Sequence, residues 1–374
     1  MRPATVCAQG PPVDATGGVV PPIFPATTFA RDEAYALVGG RMYLRDEGAN
    51  AEHVEGLLAT LEGGVAARVF PSGLSAAAAV FLSLCKPGCA VVAGRVMYFG
   101  VRKWLRQFAE QYGVKLVLVD GSDAPALAGA IEEAQPRVVW IETPGNPTLD
   151  VVDIAAAAEA AHRVGALLAV DSTAATPVHT QPLALGADLV MHSATKYLNG
   201  HSDVLAGALV AARADDAWAR ICAHRHDQGP VLGPFEAWLL LRGMRTLFLR
   251  VERQSASAAE IAECLVSRTD VVEVLYPGLA CHRNHDVAVR QMRGGFGGLV
   301  SVRVGTAARA LAVAGRLRVF VRATSLGGVE SLVEHRASVE GPDSPTPPDL
   351  LRLSVGIEDP RDLVADLEQA LDAA

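Results

Sequence analysis

Residues 188–206, DLVMHSATKYLNGHSDVLA, carry the strongest indication of fold and function in this sequence. Leu189, Val190 and Met191 form a short apolar run typical of the end of a buried strand, and a turn rich in Ser, Thr and His follows them. One lysine, Lys196, lies in that turn. A turn lysine is most often a solvated surface residue, but an amine held in a dry pocket has a lowered pKa and attacks carbonyl carbons.

An acid at the end of a second apolar run changes the interpretation of this lysine. Asp171 ends the run GALLAVD, and Glu142 and Asn146 lie at or just after the end of another run, VVWIETPGNP. Ligands in mostly parallel sheets bind at the carboxyl ends of the strands, where all of these residues are expected. Pyridoxal 5'-phosphate needs a lysine for its aldehyde and an acid for its ring nitrogen, so the pattern suits this cofactor.

The order of apolar and helical segments predicts an α/β protein. From about residue 51, short apolar segments alternate with helical ones, which indicates a mostly parallel sheet covered by helices on both faces. The last hundred residues change order and predict a smaller α+β domain, joined through one long helical stretch. Residues 1–45 lack periodicity and predict an extended arm packed on a neighbouring subunit. We therefore expect an arm over 1–45, a large cofactor-binding domain over 46–240 and a C-terminal α+β domain over 241–374.

Composition excludes several classes of partner. The chain has 374 residues, half of them apolar, and a net charge of −8, which gives no reason to expect nucleic acid or an anionic membrane. No apolar run reaches the roughly 18 residues of a spanning helix, and the N-terminus lacks a signal-peptide core, so a cytoplasmic protein is expected. His224, His226 and Asp227 do not share a helix face well, and no metal site is expected.

The segment HSATKYLNGHSD, with VDST upstream, resembles the lysine segment of the PLP-dependent cysteine/methionine metabolism family. The resemblance runs from about residue 21 to the C-terminus. It implies the PLP-dependent transferase fold of aspartate aminotransferase (fold type I) and pyridoxal 5'-phosphate as the cofactor. The family includes cystathionine γ-synthase, cystathionine lyases, methionine γ-lyase and homoserine-ester sulfhydrylases, and the resemblance is greatest to cystathionine γ-synthase.

The resemblance also assigns roles to single residues. It implies that Lys196 bonds the aldehyde and later carries protons, that Asp171 pairs with the ring nitrogen, and that Tyr98 stacks on the ring and takes part in proton transfer. It also implies that Asn146 contacts the ring hydroxyl of the cofactor. The implied phosphate contacts within the same chain are the side chains of Ser193 and Thr195 and the backbone of Gly73 and Leu74. Tyr43 and Arg45 of the adjacent subunit complete the implied phosphate site.

Arg352 is a charge inside an apolar strand segment, LLRLSVG. A buried arginine needs an anion, which is either an internal carboxylate or the substrate α-carboxylate. The resemblance favours the substrate, with Ser325 close to its carboxylate.

The resemblance implies γ-replacement on an O-acyl-homoserine by cysteine or sulfide. A dimer is then the minimum active unit, and a tetramer is expected. A lyase of cystathionine or methionine is the alternative within the family, although Gly100 stands where methionine γ-lyases carry Cys. Thr324 stands where cystathionine γ-synthases and γ-lyases often carry Glu, and residues 46–50 also depart from the family. An alternative of another class is an α/β-hydrolase, because GLSAA resembles its nucleophile elbow without the last glycine, or a non-catalytic α/β protein.

Overall fold

A computed structural model describes residues 1–13, 17–341 and 346–374. The strands in this part of the chain are β1 (Ala66–Phe70), β2 (Ala90–Gly94), β3 (Lys115–Val119), β4 (Val138–Glu142), β5 (Leu167–Asp171), β6 (Leu189–His192), β7 (Gly207–Ala211), β8 (Glu273–Leu275), β9 (Leu299–Arg303), β10 (Val321–Arg322), β11 (Leu332–His335) and β12 (Leu350–Ser354).

The helices are α1 (Pro3–Gln9), α2 (Ala49–Glu62), α3 (Gly73–Leu84), α4 (Phe99–Tyr112), α5 (Ala124–Ala134), α6 (Ile154–Arg163), α7 (Thr176–His179), α8 (Asp216–Gln228), α9 (Pro234–Met244), α10 (Leu247–Val266), α11 (His285–Gln291), α12 (Ala307–Arg316), α13 (Arg336–Glu340) and α14 (Pro360–Asp372). None of the helices in the described ranges is long and apolar enough to cross a membrane.

A seven-stranded sheet in the order β1-β7-β6-β5-β4-β2-β3 forms the centre of the molecule. Strands β6, β5, β4, β2 and β3 are parallel, and β7 pairs antiparallel with both β6 and β1. The strands β2, β4 and β7 are buried along their whole length, as expected for a sheet with helices on both faces. In this register Glu142 of β4 lies beside Asp171 of β5, and Asp171 beside Met191 of β6.

A second sheet of five strands, in the order β10-β11-β12-β9-β8, forms the smaller α+β part. Strand β12 lies between β11 and β9 and pairs antiparallel with both. Helices α10, α12 and α14 contribute to its own hydrophobic core, which is separate from those around the large sheet. The predicted change from a parallel sheet to a smaller α+β arrangement is therefore present.

Two local predictions differ from the structure. The N-terminal arm begins with a helix, α1, in which Cys7 is buried and its thiol donates to the Met244 carbonyl oxygen at 2.9 Å. A seven-residue helix is too short to produce a clear periodicity in the sequence. The long helical stretch after residue 233 is two helices, α9 and α10, because Arg245 and Thr246 separate them. Thr246, with φ −107° and ψ 9°, has left the helical conformation.

Candidate active site

A cavity of about 170 Å³ opens at the carboxyl ends of the parallel strands. Strands β4, β5 and β6 end at the cavity because their last residues are in register. Nine residues that the sequence analysis placed at the site line this one cavity: Gly73, Leu74, Tyr98, Glu142, Asn146, Asp171, Ser193, Thr195 and Lys196.

Lys196 holds its amine inside the protein. The Nζ atom donates to the Ser325 hydroxyl oxygen at 2.7 Å. Burial, and next the positive charge of Arg352, lower the pKa of Lys196 to about 8, while the negative charge of Glu334 acts in the opposite direction. The uncharged amine, which is the form that attacks an aldehyde, is therefore more abundant near neutral pH than for an exposed lysine.

Among the described residues, both hydrogen bonds to the Asp171 carboxylate are accepted by one of its oxygens, Oδ1. Its Oδ1 accepts from the Thr173 backbone N–H at 3.1 Å and from the Thr173 hydroxyl at 2.5 Å. The Ser193 N–H donates to the same hydroxyl oxygen at 2.8 Å, so the ends of β5 and β6 are tied together. Burial raises the pKa of Asp171, while the Thr173 hydrogen bonds and then the charge of His192 act to lower it. A cation beside the carboxylate would stabilise its ionised form.

Glu142 fixes two other members of the site. Its carboxylate accepts from the backbone N–H of Tyr98 at 2.6 Å and of Asn146 at 2.8 Å. Burial, and next the neighbouring charge of Asp171, raise the pKa of Glu142. Tyr98 precedes α4, and its ring lies over Gly100, where an added Cβ would be 2.6 Å from the ring. The glycine at position 100 is thus required for this placement of the Tyr98 ring.

The start of α3 provides an anion site. Ser72 caps this helix by accepting from the Ser75 N–H at 3.1 Å, while the N–H groups of Gly73 and Leu74 belong to the first turn, which has no intrahelical acceptors. An added Cβ at Gly73 would lie 2.7 Å from the Ser193 Cβ, so only glycine lets the helix start approach the Ser193 turn this closely. The Thr195 hydroxyl, by contrast, donates to the Ala206 carbonyl oxygen at 3.2 Å.

These groups fit pyridoxal 5'-phosphate. An amine, a carboxylate and a helix start that favours anions line one cavity, and the donors match the aldehyde, ring nitrogen and phosphate of the cofactor. No group of His, Cys, Asp and Glu side chains within the described ranges could hold a metal ion.

Arg352 lies behind this cavity and is only 1% exposed. Its guanidinium donates to the Asn146 Oδ1 at 3.2 Å and to the Ser325 carbonyl oxygen at 2.5 Å, and it forms an ion pair with Glu334 at 2.7 Å. The internal carboxylate left open by the sequence is therefore present, and the role toward substrate stays a prediction. Ser325 has a φ of +92°, a strained conformation for a residue with a side chain, and such strain is concentrated at functional sites.

A second cavity of about 880 Å³ adjoins the first and shares Thr195 and Leu205 with it. Ser325 and Thr324 line this second cavity. Lys196 lines only the first cavity, but its amine bonds Ser325 of the second, so we take the second cavity as the substrate entrance.

Tyr43 and Arg45 line neither of these two cavities. The Arg45 guanidinium instead lies 5.3 Å from the centre of the Tyr43 ring, and both side chains are exposed in the protomer. One chain by itself therefore does not bring this pair to Lys196.

Thr173 and Glu334 were not anticipated from the sequence. Thr173 could have been found, because Asp-x-Thr after a strand is a pattern in which the aspartate side chain bonds its own backbone two residues on. Glu334 could not, because its partner Arg352 comes from a different strand whose register the sequence does not state.

Comparisons with known proteins agree with this geometry. Cystathionine gamma-synthase of Mycobacterium tuberculosis is 44% identical over 368 residues, which cover 96% of this chain and 94% of the relative. L-methionine gamma-lyase of Pseudomonas putida is 38% identical over 97% of this chain and 95% of the relative. The crystal structure of cystathionine gamma synthase from Xanthomonas oryzae pv. oryzae in complex with cystathionine superposes with a TM-score of 0.95, at 36% identity, over 100% of this chain and 98% of that one.

These matches confirm the predicted resemblance, the PLP-dependent transferase fold and the cofactor, and they give no support to the hydrolase alternative. The family described as Cys/Met metabolism PLP-dependent enzyme matches residues 4–372. This chain is therefore a member of the Cys/Met metabolism PLP-dependent enzyme family.

Proposed function

We propose that this enzyme catalyses γ-replacement on an O-acyl-homoserine, with cysteine or sulfide as the nucleophile. One observation carries the chemistry: the Lys196 amine, the Asp171 carboxylate and Tyr98 line the same cavity. The choice of γ-replacement over elimination rests on the relative named cystathionine gamma-synthase, at 44% identity.

We assign the cofactor contacts as follows. Asp171 holds the ring nitrogen in its protonated form, and Asn146, whose amide oxygen is occupied by Arg352, uses its amide nitrogen as a donor to the ring hydroxyl. The N–H groups of Gly73 and Leu74 bind the phosphate with the Ser193 hydroxyl. The Thr195 hydroxyl joins them by turning its proton from the Ala206 carbonyl oxygen to the phosphate. When bound, pyridoxal 5'-phosphate supplies the electron sink for negative charge that develops on the substrate.

Lys196 moves the protons. With its pKa lowered to about 8, the Nζ amine takes the α-proton of the amino acid substrate and returns a proton further along the side chain. Ser325 holds this amine through its hydroxyl, so the amine points toward the substrate entrance. Tyr98, fixed by Glu142, is placed to assist this transfer.

Arg352 binds the substrate α-carboxylate. The carbonyl oxygen of Ser325 contacts the guanidinium at 2.5 Å, and a carboxylate would replace this neutral acceptor with a charged one, which forms a stronger hydrogen bond. Ser325 therefore contacts the substrate side of the site through both its hydroxyl and its carbonyl group.

The active unit is at least a dimer, with a tetramer as the proposed assembly. Tyr43 and Arg45 would bind the phosphate in a neighbouring protomer, and the arm that carries them exposes Val19, Val20 and Phe24. Mixing an R45A protomer with a K196A protomer tests this. Each is inactive alone, but mixed dimers contain one intact site, so about a quarter of wild-type activity should appear. No recovery in dimers shown to be mixed would contradict the role in trans.

The domain limits and location remain proposals. We keep an arm over 1–45, a cofactor domain over 46–240 and a C-terminal domain over 241–374. Residues 240 and 241 lie inside α9, so the change of domain occurs along the helices α9 and α10 and not at a loop. We propose a cytoplasmic location.

Elimination is the second candidate, because methionine gamma-lyase of Pseudomonas putida is 38% identical to this chain. The close contact between the Tyr98 ring and Gly100 counts against a lyase that needs a side chain at position 100. An assay panel separates the two. The holoenzyme is given O-acetyl- or O-succinyl-homoserine with cysteine or sulfide, and then cystathionine or methionine alone. We expect thioether or thiol product from the first set, while release of a 2-oxo acid only from the second set would reject γ-replacement.

A further inference from the structure

Five buried charged residues form a continuous row behind the substrate entrance, which we call the arginine–glutamate chain. Their side chains are between 1% and 11% exposed, and they alternate in sign: Arg102, Glu340, Arg336, Glu334 and Arg352. The ion pairs along the row measure 3.4, 2.6, 3.0 and 2.7 Å in that order. The row joins α4, which follows Tyr98, to β12, which carries Arg352.

One oxygen at the centre of the row has two partners. Glu334 Oε2 contacts both Arg336 Nη1 at 3.0 Å and Arg352 Nη2 at 2.7 Å. Its second oxygen, Oε1, is buried and has no hydrogen-bond partner within the described residues. The two arginines therefore compete for the same negative charge.

Contacts with Glu340 and Phe99 keep Arg336 beside the Glu334 carboxylate that it shares with Arg352. Its Nη2 bonds Glu340 at 2.6 Å, and its guanidinium lies 5.2 Å from the centre of the Phe99 ring. The Phe99 ring in turn packs edge-on against the Tyr98 ring, with 5.1 Å between the centres. A planar guanidinium fixed on an aromatic face and bonded on both sides has little freedom to leave Glu334.

Among the residues that the structure describes, the three guanidinium groups of the row face two carboxylates, so the row itself carries an excess of positive charge. Glu142 is close enough to act on Arg336, but its own oxygens are bonded to the backbone of Tyr98 and Asn146. A buried charge without a full counter-charge is costly, so the row is stabilised by one further anion.

We infer that Arg336 is a positioning residue for the substrate carboxylate, because it shares Glu334 and so leaves positive charge on Arg352. This inference rests on the proposed function, in which Arg352 binds the α-carboxylate. Without Arg336, Glu334 pairs fully with Arg352 and the guanidinium attracts a substrate carboxylate less strongly. Without Glu340, Arg336 turns fully to Glu334, and Arg352 attracts the carboxylate more strongly.

The test measures carboxylate preference by equilibrium binding to the holoenzyme. L-Alanine and L-alaninamide, which differ in the carboxylate and carry no leaving group, are titrated while the cofactor absorbance is recorded. The ratio of the two dissociation constants is compared between proteins at one pH, so the different basicity of the two amines cancels. Melting temperature and circular dichroism establish that each variant is folded. R309M, which removes a surface partner of Asp270, is the control.

We expect R336M to lower the preference for L-alanine about tenfold while the affinity for L-alaninamide changes less than about twofold. R336M leaves Glu334 paired with Arg352 and Glu340 paired with Arg102, so no carboxylate loses all of its partners. E340Q should raise the preference about threefold, the opposite direction. R309M should stay near wild type. R336K keeps the positive charge but cannot bond both glutamates through one planar group, so it should fall between R336M and wild type.

If Arg336 had only a structural role, R336M would weaken the binding of L-alanine and L-alaninamide equally, or E340Q would lower the preference for L-alanine as R336M does. Either result overturns the inference. If R336M does not fold, the direction of the E340Q effect decides. R352M separates this inference from the proposed function. If R352M keeps the wild-type preference, Arg352 does not bind the carboxylate and the proposed function is wrong at that residue. If R352M loses the preference and R336M keeps it, only the inference about Arg336 fails.

Discussion

Two regions of the site carry opposite charge. The ends of β4 and β5 hold two buried carboxylates, those of Glu142 and Asp171. The region behind Ser325 holds three arginines that share two glutamates. The first region, the cofactor side, favours a bound cation, and the second, the arginine–glutamate chain, favours a bound anion. In the proposed function these two charges are the protonated ring nitrogen of the cofactor and the α-carboxylate of the substrate. Lys196 lies between the regions, since it lines the cavity with Asp171 and bonds Ser325.

The two regions also hold their charged groups in different ways. The cofactor side uses short-range contacts at strand ends, in which Thr173 bonds Asp171 two residues away. The arginine–glutamate chain instead joins four elements, α4, β11, α13 and β12, and Arg102 pairs with Glu340 across 238 positions of the sequence. Substitutions on the cofactor side should therefore change catalysis, and those in the chain should change substrate affinity.

The largest effect is expected from K196A. Removing the amine eliminates both the attachment of the cofactor and the proton carrier, so kcat should fall by about a thousandfold or more. K115A, which removes an exposed lysine, should keep wild-type kcat. Steady-state kinetics with the best substrate of the panel measures both. A K196A protein within tenfold of wild-type activity would contradict the role of Lys196.

The next effect is expected from D171N, which removes the charge but keeps the shape. The ring nitrogen then loses its counter-charge, and kcat should fall by about a hundredfold. D188N is the matched control, because Asp188 is also buried and pairs with Arg213 and His162 at the opposite end of β6. D188N should lower the free energy of unfolding and leave kcat unchanged. Equal losses of kcat in both variants would mean that the charge of Asp171 has no special role.

A smaller effect is expected from G73A at the phosphate end. The added Cβ would lie 2.7 Å from Ser193, so the start of α3 must move away, and the dissociation constant of the cofactor should rise about tenfold. G129A is the control, since a Cβ at Gly129 meets nothing within 4 Å. Cofactor titration of the apoprotein measures both variants, and unchanged affinity in G73A would exclude a phosphate site at α3.

The smallest effect is expected from T173V. The Thr173 hydrogen bonds lower the pKa of Asp171, so losing the hydroxyl donor raises this pKa in the folded protein. Because catalysis needs the ionised carboxylate, the acid side of the pH–activity profile should move up by about one pH unit. T173S keeps a hydroxyl and should restore the wild-type profile. A downward shift in T173V would show that the hydroxyl does not stabilise the charged form.

The cofactor side was predictable from the sequence because its residues follow apolar runs. Asp171 and Lys196 come after neighbouring strands, and parallel strands bring their carboxyl ends together. The anion site at the Pro-Ser-Gly turn was predictable from a local pattern as well, because a strand, a turn of small residues and a helix start form a recurring anion site.

The remainder depends on contacts that local patterns do not encode. Arg352 was expected to need an anion, but the sequence left open whether that anion was internal, and the pairing of Arg352 with Glu334 on β11 follows from strand register. Arg336 and Arg102 are linked through Glu340, which pairs with both. The helix over Pro3–Gln9 was missed because its position depends on packing of Cys7 against α9 and not on periodicity.

The most direct test of the account is to find which lysine carries the cofactor. The lysines of the chain are Lys86, Lys103, Lys115 and Lys196. The holoenzyme is reduced with borohydride and digested, and the modified peptide is identified by mass spectrometry. We expect the pyridoxyl group on Lys196, because its amine is buried, has a lowered pKa and lines the cavity with Asp171. A label on another lysine while Lys196 stays unmodified would contradict the assignment of the site.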